Sequence, residues 1–177
     1  MVRRRVKPWA TVLTLIGVVL LDRITKIWVS SNLVPQTPWA IVPSVSKWFT
    51  ITYIRNTGAA FGMLPDLGPL FAIVAVVVVV GLILQYDSLP VEHVLVRVAI
   101  GLIMGGAVGN LVDRLTTGYV VDFLDFKIWP IFNVADSSVV VGAAILVLHM
   151  LLWGEKPADH DQQAEAGCTE APQPEHG

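Results

Sequence analysis

The chain has 177 residues, of which 54% are hydrophobic and only 15% charged, and its formal net charge at pH 7 is -2. A mean hydropathy of +0.66 is too apolar for an ordinary soluble domain. The single cysteine excludes an intrachain disulfide. This composition therefore predicts a membrane protein.

Four apolar runs predict transmembrane helices, because each is close to the roughly 20 residues that cross a bilayer core. They cover about residues 9–29, 69–86, 94–112 and 131–153. The predicted fold class is an all-α, four-helix polytopic membrane bundle, with residues 1–153 as the membrane-embedded domain.

The basic residues at positions 3–7 precede the first run, and the positive-inside rule places this end in the cytoplasm. Four spans then return the C-terminus to the cytoplasm and put segments 30–68 and 113–130 on the outer face. Such a start is also typical of a secretory signal peptide. No A-x-A cleavage site follows, however, and the polar residues 22–26 come instead, which favours an uncleaved first helix.

The outer segment 30–68 contains the stretch "KWFTITYIRN", which alternates apolar and polar side chains and predicts a short strand with one apolar face. A strand with open edges cannot lie in lipid, so we expect this small β-containing part at the outer membrane interface. The following "NTGAAFG" predicts a tight turn bracketed by Gly58 and Gly62, although an ordinary loop explains these residues equally well.

The third run carries Gly101, Gly105 and Gly109 at a spacing of four, which places them on one helix face. Small residues on one face let a neighbouring helix approach closely within lipid. The polar residues 110–114 follow and favour a helix cap or a headgroup contact at the outer surface.

Residues 154–177 are rich in Pro, Gly, Gln and Glu, lack apolar periodicity and contain the only cysteine, Cys168. This composition predicts a disordered, acidic, cytoplasmic tail.

Ionisable residues in or beside membrane spans are costly, so each is a candidate site residue whose partner has to be found. Asp22 and Lys26 share one helix face, which favours a structural ion pair. Four further aspartates collect near the outer boundary: Asp113, Asp122, Asp125 and Asp136.

The chain lacks the H-E-x-x-H zinc motif and the G-x-S-x-G nucleophile motif. A pair of Ser137 or Ser138 with Lys26 stays open as a source of a nucleophile. Two aspartates that share a site do not both ionise easily, so near neutral pH one can accept a proton while the other donates one. Such a pair can hydrolyse an amide without a metal or an organic cofactor, and the residues alone leave open which two aspartates form it.

A small membrane transporter or channel subunit with an aspartate proton relay is the alternative from another functional class. It predicts acids spread through the membrane depth and broken helices near the midplane. Here the acids collect towards one side, which favours the hydrolase.

Five motifs, in order along the chain, resemble those of the lipoprotein signal peptidase (signal peptidase II) family, bacterial membrane aspartyl endopeptidases. They are "DRITK" at 22–26, "NTGAAFG" at 56–62, "GGAVGNLVDR" at 105–114, "GYVVDFLDF" at 118–126 and "FNVADSSVVVG" at 132–142. The resemblance covers roughly residues 9–153, so the tail lies outside it.

The resemblance implies that Asp122 and Asp136 are the catalytic dyad. It implies that the polar side chains around them bind substrate or support the site, and these are Asn56, Asn110, Arg114, Asn133, Asp22 and Lys26. Asp113 resembles a structural residue in this scheme and remains a rival for one catalytic place. Arg23 stands where the family often has Gln, and Asp125 is expected to be a solvated or loop-stabilising acid.

The implied substrate is a diacylglyceryl-modified prolipoprotein, cut before its lipidated cysteine. We expect membrane lipids as further partners, no nucleic acid, no cofactor and a monomer. The implied location is the bacterial cytoplasmic (inner) membrane, with both termini in the cytoplasm and the active site at the outer face.

Overall fold

The computed structural model describes residues 7–58 and 67–153. The helices are α1 (Trp9–Asn32), α2 (Gly68–Leu84), α3 (Val94–Thr117) and α4 (Val134–Trp153), and the strands are β1 (Pro38–Trp39), β2 (Thr50–Asn56) and β3 (Val120–Asp125). The protein is thus mostly helical, with one small three-stranded sheet. The predicted disordered tail with Cys168, and the part of the predicted turn that contains Gly62, lie outside the described residues.

Within the described ranges, α3 and α4 are long and apolar enough to cross a membrane by length and composition. Helix α2 is apolar but shorter, with 17 residues. Helix α1 has 24 residues, like α3, and its second half carries the charged residues Asp22, Arg23 and Lys26. The four predicted helices are therefore present, and two of them qualify as spans by this measure.

Two helix boundaries differ from those predicted. The sequence predicted that α3 ends near residue 112, before Asp113. The helix instead continues to Thr117, so Asp113 lies inside it. The charged residues of this last turn do not end the helix because they find partners on other elements, and the chain leaves the helix at Gly118, whose φ is +80°. Helix α4 begins later than predicted, at Val134.

Helix α3 contacts α1 through the glycine face that the sequence predicts. A Cβ atom on Gly101 would lie 2.6 Å from the carbonyl oxygen of Thr11, and one on Gly105 would lie 2.7 Å from the Cβ atom of Val18. Gly106, on another side of α3, faces α4 equally closely. Backbone-to-backbone approach of this kind makes α3 the helix against which both α1 and α4 pack.

The sheet has the order β1-β2-β3, and both pairs are antiparallel. The predicted strand is β2, whereas β3 was not predicted as a strand. Near the end of β2, Ile54 is opposite Asp122 and Asn56 is opposite Val120. This register brings the Asn56 side chain to the Asp122 side chain.

An apolar cluster joins the sheet to the end of α1. It consists of Val29, Ile51, Tyr53, Val121 and Phe123, all buried. The sheet is therefore fixed on the helices at the end of the molecule where the aspartates lie.

Candidate active site

Asp136 is held by the N-terminal end of α4. Its backbone N–H donates a hydrogen bond of 2.9 Å to Oδ1 of Asn133, and its Oδ2 accepts one of 3.2 Å from the backbone N–H of Asn133. This reciprocal pair is a capping box in which Asn is the cap and Asp replaces the usual Glu or Gln. The same bonds that begin α4 thereby fix the Asp136 carboxylate.

Asp122 lies on β3 and accepts hydrogen bonds on both carboxylate oxygens. Nδ2 of Asn133 donates to Oδ1 at 2.6 Å, and Nδ2 of Asn56 donates to Oδ2 at 2.8 Å. The Asn56 side chain is itself oriented, because its Oδ1 accepts a bond of 3.0 Å from the backbone N–H of Gly58. Asn133 therefore contacts both aspartates, Asp122 with its amide and Asp136 through the capping box.

Asn110, on α3, completes the set around Asp136. Its Nδ2 donates to Oδ1 of Asp136 at 2.7 Å, while its Oδ1 accepts bonds from Nζ of Lys26 at 2.8 Å and from Nδ2 of Asn133 at 3.2 Å. An ammonium group can only donate, so Lys26 determines that the amide oxygen of Asn110 faces α1 and its NH2 group faces Asp136.

A cavity of about 320 Å3 contains both aspartates. Asn56 and Arg114 contribute polar groups to its wall, and Phe71 and residues 129–132 contribute apolar surface. The guanidinium of Arg114 lies 5.4 Å from the centre of the Phe71 ring. Two carboxylates, one amide and one guanidinium group thus line the same cavity.

Comparison with known proteins identifies the family. The family model for Signal peptidase (SPase) II matches residues 14–152. The chain belongs to the signal peptidase II family. Its members include the lipoprotein signal peptidase of Halothermothrix orenii, which is 45% identical over 139 residues and covers 78% of this chain and 92% of that protein. The lipoprotein signal peptidase of Caldanaerobacter subterraneus subsp. tengcongensis is 46% identical over 138 residues, covering 77% and 92%.

Solved structures support the same assignment. A bacterial membrane enzyme determined by the in meso method at 2.3 Å resolution superimposes with a TM-score of 0.73 at 31% identity, covering 84% of this chain and 93% of that chain. A second, at 1.9 Å resolution, gives 0.71 at 32% identity, covering 81% and 93%. As a member of the signal peptidase II family, the chain is a protease, and the family is one of membrane proteins.

In this signal peptidase II chain, the environment of Asp122 favours its protonated form. Burial, and secondly the negative charge of Asp136, raise the pKa of Asp122 from 3.8 to about 7. The hydrogen bonds from Asn56 and Asn133 and the charge of Lys26 act in the opposite direction and are outweighed. Near neutral pH, Asp122 can therefore hold a proton beside a second carboxylate.

Lys26 is the centre of a buried ionic network. Its Nζ lies 2.8 Å from a carboxylate oxygen of Asp22 and 2.8 Å from one of Asp113, and all three side chains are at most 1% exposed. The predicted pair of Asp22 and Lys26 is thus present, with Asp113 as a further member. Arg23 forms an ion pair with Asp113 from the surface side, which gives a role to the residue that replaces the Gln often found in the family.

The same network connects the helices to the site. Oδ1 of Asp22 accepts a hydrogen bond of 3.1 Å from the backbone N–H of Ala135, on α4. Oδ2 of Asp113 accepts one of 3.4 Å from the backbone N–H of Val121, on β3. Ala135 and Val121 are the residues directly before Asp136 and Asp122, so the network locates the backbone at both aspartates.

The hydroxyl groups of Ser137 and Ser138 bond to the backbone and not to Lys26. The hydroxyl of Ser137 donates to the carbonyl of Asn133 at 2.8 Å, and that of Ser138 donates to the carbonyl of Ala135 at 2.7 Å. Neither serine contacts Lys26, whose Nζ is bound to carboxylates and to an amide oxygen. The arrangement needed for a serine–lysine nucleophile is therefore not formed.

Asp125 is buried and not solvated, contrary to the first part of our expectation. It accepts hydrogen bonds from Thr52 at 2.8 Å, from Thr50 at 3.2 Å and from Nζ of Lys127 at 2.5 Å. Burial alone would raise the pKa of Asp125, but the bonds from Lys127 and Thr52 outweigh it and lower the pKa. Asp125 thus stabilises the strand pair by bonding the threonine side chains of β2.

Sequence reasoning missed three parts of the site. These are the N–H of Gly58, the ring of Phe71 and the wall formed by residues 129–132. The cluster of large apolar residues in "KIWPIF" was the available signal, because such residues in a short connection predict a surface used for binding.

Replacing Asp122 by Asn should change how stability depends on pH. Because the folded-state pKa of Asp122 lies near 7 and the ordinary pKa of an aspartate is 3.8, the stability linked to its proton is present below about pH 4 and lost as the pH rises through 7. Asp122→Asn cannot ionise, so its melting temperature relative to wild type should increase between pH 5 and pH 9, by about 2–4 °C for each kcal/mol. Thermal unfolding in detergent across this pH range measures the difference.

Asp125→Asn is the matched control on the same strand. The pKa of Asp125 in the wild type is lowered, so this carboxylate is fully ionised throughout pH 5 to 9. The difference in melting temperature between Asp125→Asn and wild type should therefore stay constant over this range. A constant difference for Asp122→Asn as well would contradict the raised pKa of Asp122.

Replacing Lys26 by Met should destabilise the fold strongly, because it leaves the carboxylates of Asp22 and Asp113 buried without the ammonium group. Loss of one partner of a buried pair costs about 3–5 kcal/mol. Lys127→Met is the control, since Lys127 pairs with Asp125 at a side-chain exposure of 32%, where such a pair contributes about 0–1 kcal/mol. Thermal unfolding of both variants in the same detergent tests this, and equal losses would argue against the central role of Lys26.

Proposed function

We propose that this protein removes the signal peptide from diacylglyceryl-modified prolipoproteins by cleaving before the lipidated cysteine, with Asp122 and Asp136 as its catalytic dyad. The observation that carries the proposal is that Asn133 bonds both carboxylates at the wall of one cavity. Family membership supports the reaction, because the similar proteins from Halothermothrix orenii and Caldanaerobacter subterraneus are named lipoprotein signal peptidases.

The two aspartates have different environments, which suggests different roles. Asp122, with a pKa near 7, supplies the proton, and Asp136 accepts one. Asp136 takes a proton from a water molecule as the water oxygen attacks the scissile carbonyl carbon, while Asp122 gives its proton to the carbonyl oxygen. Asp136 then gives the proton that it took from water to the amide nitrogen, and the carbon–nitrogen bond breaks. Asp122 takes back a proton from a hydroxyl group of the tetrahedral intermediate, which becomes the new carboxyl group, so both aspartates return to their starting states.

Positioning residues keep this asymmetry. The Asn110 amide and the backbone N–H of Asn133 donate to Asp136. Asp136 also lies in the first turn of α4, where the helix dipole favours the ionised form of a carboxylate. Asn56 and Asn133 hold Asp122 in place without supplying a full charge. Arg114 lines the cavity, where its charge can stabilise negative charge that develops on the substrate carbonyl.

The transporter hypothesis has less support in the described residues. It requires ionisable groups along a path through the membrane, whereas α2 contains none and α3 and α4 are continuous helices.

We also propose that α1, α2, α3 and α4 all span the bacterial inner membrane, with both termini in the cytoplasm and the sheet and dyad at the outer face. Helix α2 would be about 26 Å long, close to the roughly 30 Å of a bilayer core. Exposed Trp39 and Trp48 lie in the segment assigned to the outer interface, where tryptophan is enriched. Membrane lipids then surround the exposed apolar helix faces, and a monomer suffices because one chain supplies every residue of the site.

Cleavage of a purified lipidated prolipoprotein tests the dyad. Asp122→Asn and Asp136→Asn should each lower the rate at least about 1000-fold, since each removes a group that exchanges a proton in the reaction. Asp125→Asn should keep most of the activity, because Asp125 bonds threonines and Lys127 outside the cavity. Normal cleavage by Asp122→Asn, with the protein folded, would exclude the assigned pair.

The single native cysteine allows a direct test of topology. In spheroplasts, a membrane-impermeant maleimide should leave Cys168 unlabelled until the membrane is permeabilised, because the tail is cytoplasmic in our proposal. In a Cys168→Ser background, Trp129→Cys should label without permeabilisation, since Trp129 is 68% exposed near the dyad. Labelling of Cys168 in intact spheroplasts would reverse the proposed orientation.

A further inference from the structure

A second concave surface begins at the dyad. It is a groove of about 520 Å3 between the connection that contains Phe126 and Trp129 and the first turns of α4, from Asp136 to Val141. Asp136, Trp129 and Phe132 line both this groove and the cavity of the dyad. The two spaces are therefore neighbours that meet at a catalytic carboxylate.

The walls of the groove are almost entirely apolar and open. Ile128 is 86% exposed, Trp129 and Val140 are each 68% exposed, and Val141 is 50% exposed. In the proposed membrane orientation such apolar surface faces lipid tails, and here it forms a concave groove that borders a polar site. From Asp136 to Val141 the groove follows α4 for roughly 8 Å, leading away from the sheet along a helix that is apolar enough to cross a membrane.

We propose that this groove receives an acyl chain of the lipidated cysteine during cleavage. The inference rests on the proposed function, because it is the prolipoprotein substrate that carries a lipid on the residue next to the scissile bond. The acyl chains begin only a few bonds from the scissile bond, so they must extend away from the dyad. The groove offers them an apolar path that starts at Asp136. Its floor is one face of a single helix beside one short connection, which suits a narrow chain better than a signal-peptide helix of about 10 Å diameter.

The groove acts by positioning and not by extracting the chain from water. Lipid tails are as apolar as valine side chains, so moving an acyl chain from the bilayer to the groove gains little free energy. A chain that lies along α4 instead restricts how the lipidated cysteine, and hence the scissile carbonyl, is presented to the dyad. Correct orientation of this kind contributes to the rate of a bond-breaking step.

Filling the groove should therefore change the preference between substrates of different acyl length. We would compare kcat/KM for one prolipoprotein carrying two sixteen-carbon chains or two short chains of about four carbons. In Val141→Trp, the long-to-short ratio of kcat/KM should fall at least about tenfold relative to wild type, a change of roughly 1.4 kcal/mol. Val147→Trp, further along α4 and 56% exposed but outside the groove, should keep the wild-type ratio.

An unchanged ratio in folded, active Val141→Trp would overturn the groove assignment while leaving the proposed function intact. Failure of wild type to cleave any lipidated prolipoprotein would instead overturn the proposed function.

Photo-cross-linking identifies the occupant directly. Asp136→Asn protein would be mixed with substrate that carries a photoreactive group on an acyl chain or, separately, in the apolar segment of its signal peptide. The acyl probe should cross-link to residues 126–132 or 137–141, with the signal-peptide probe reacting elsewhere. The reverse pattern would assign the groove to the signal peptide and overturn the proposal.

Discussion

The site depends on the interactions of the buried Lys26 ammonium group. A charge without exposure to water is tolerated only when it is paired and hydrogen-bonded, and Lys26 meets this condition with Asp22, Asp113 and Asn110. These partners lie on α1 and α3, and through the backbone of Ala135 and Val121 they also locate α4 and β3. One cation therefore fixes the relative positions of α1, α3, α4 and β3, whereas β2 with Asn56 and α2 with Phe71 are held by other contacts.

Lys26 also distinguishes the structural acids from the proposed catalytic pair. Asp22 and Asp113 contact the ammonium directly, whereas the Asp136 carboxylate is linked to it by way of the Asn110 amide. A direct ion pair with either dyad member would hold that carboxylate ionised and prevent the two from sharing a proton. The intervening amide transmits orientation and hydrogen bonding while leaving the raised pKa of Asp122 in place. The absence of a side chain at Gly109 leaves room for the Asp22 carboxylate, because a Cβ atom there would lie 2.7 Å from Oδ2 of Asp22.

The sequence predicted the features that follow from local periodicity. The apolar runs indicated four helices, the glycine spacing indicated a face of α3 on which a neighbouring helix packs, and alternation indicated β2. It did not predict β3, because "VVDFLD" is nearly continuous in apolar residues and its pairing with β2 is a long-range contact. Asp113 and Asp125 were misplaced for a related reason, since their burial depends on Lys26 and on the threonines of β2, which are distant in sequence. The residues alone likewise left the catalytic pair open, and only the family resemblance selected Asp122 and Asp136.

A protease that cleaves a lipid-attached peptide needs both an aqueous and an apolar environment next to its catalytic carboxylates. Hydrolysis requires water and polar donors, which the cavity with Asn56 and Arg114 provides, whereas the lipid requires an apolar surface continuous with the bilayer. Phe132 and Trp129 separate these environments, and the Phe132 ring is stacked on that of Phe126 at 5.7 Å. Because Asn133 follows Phe132 directly, the wall shared by the cavity and the groove is attached to the residue that bonds both aspartates. In the proposed membrane orientation, the same few residues of chain set both the membrane boundary and the geometry of the dyad.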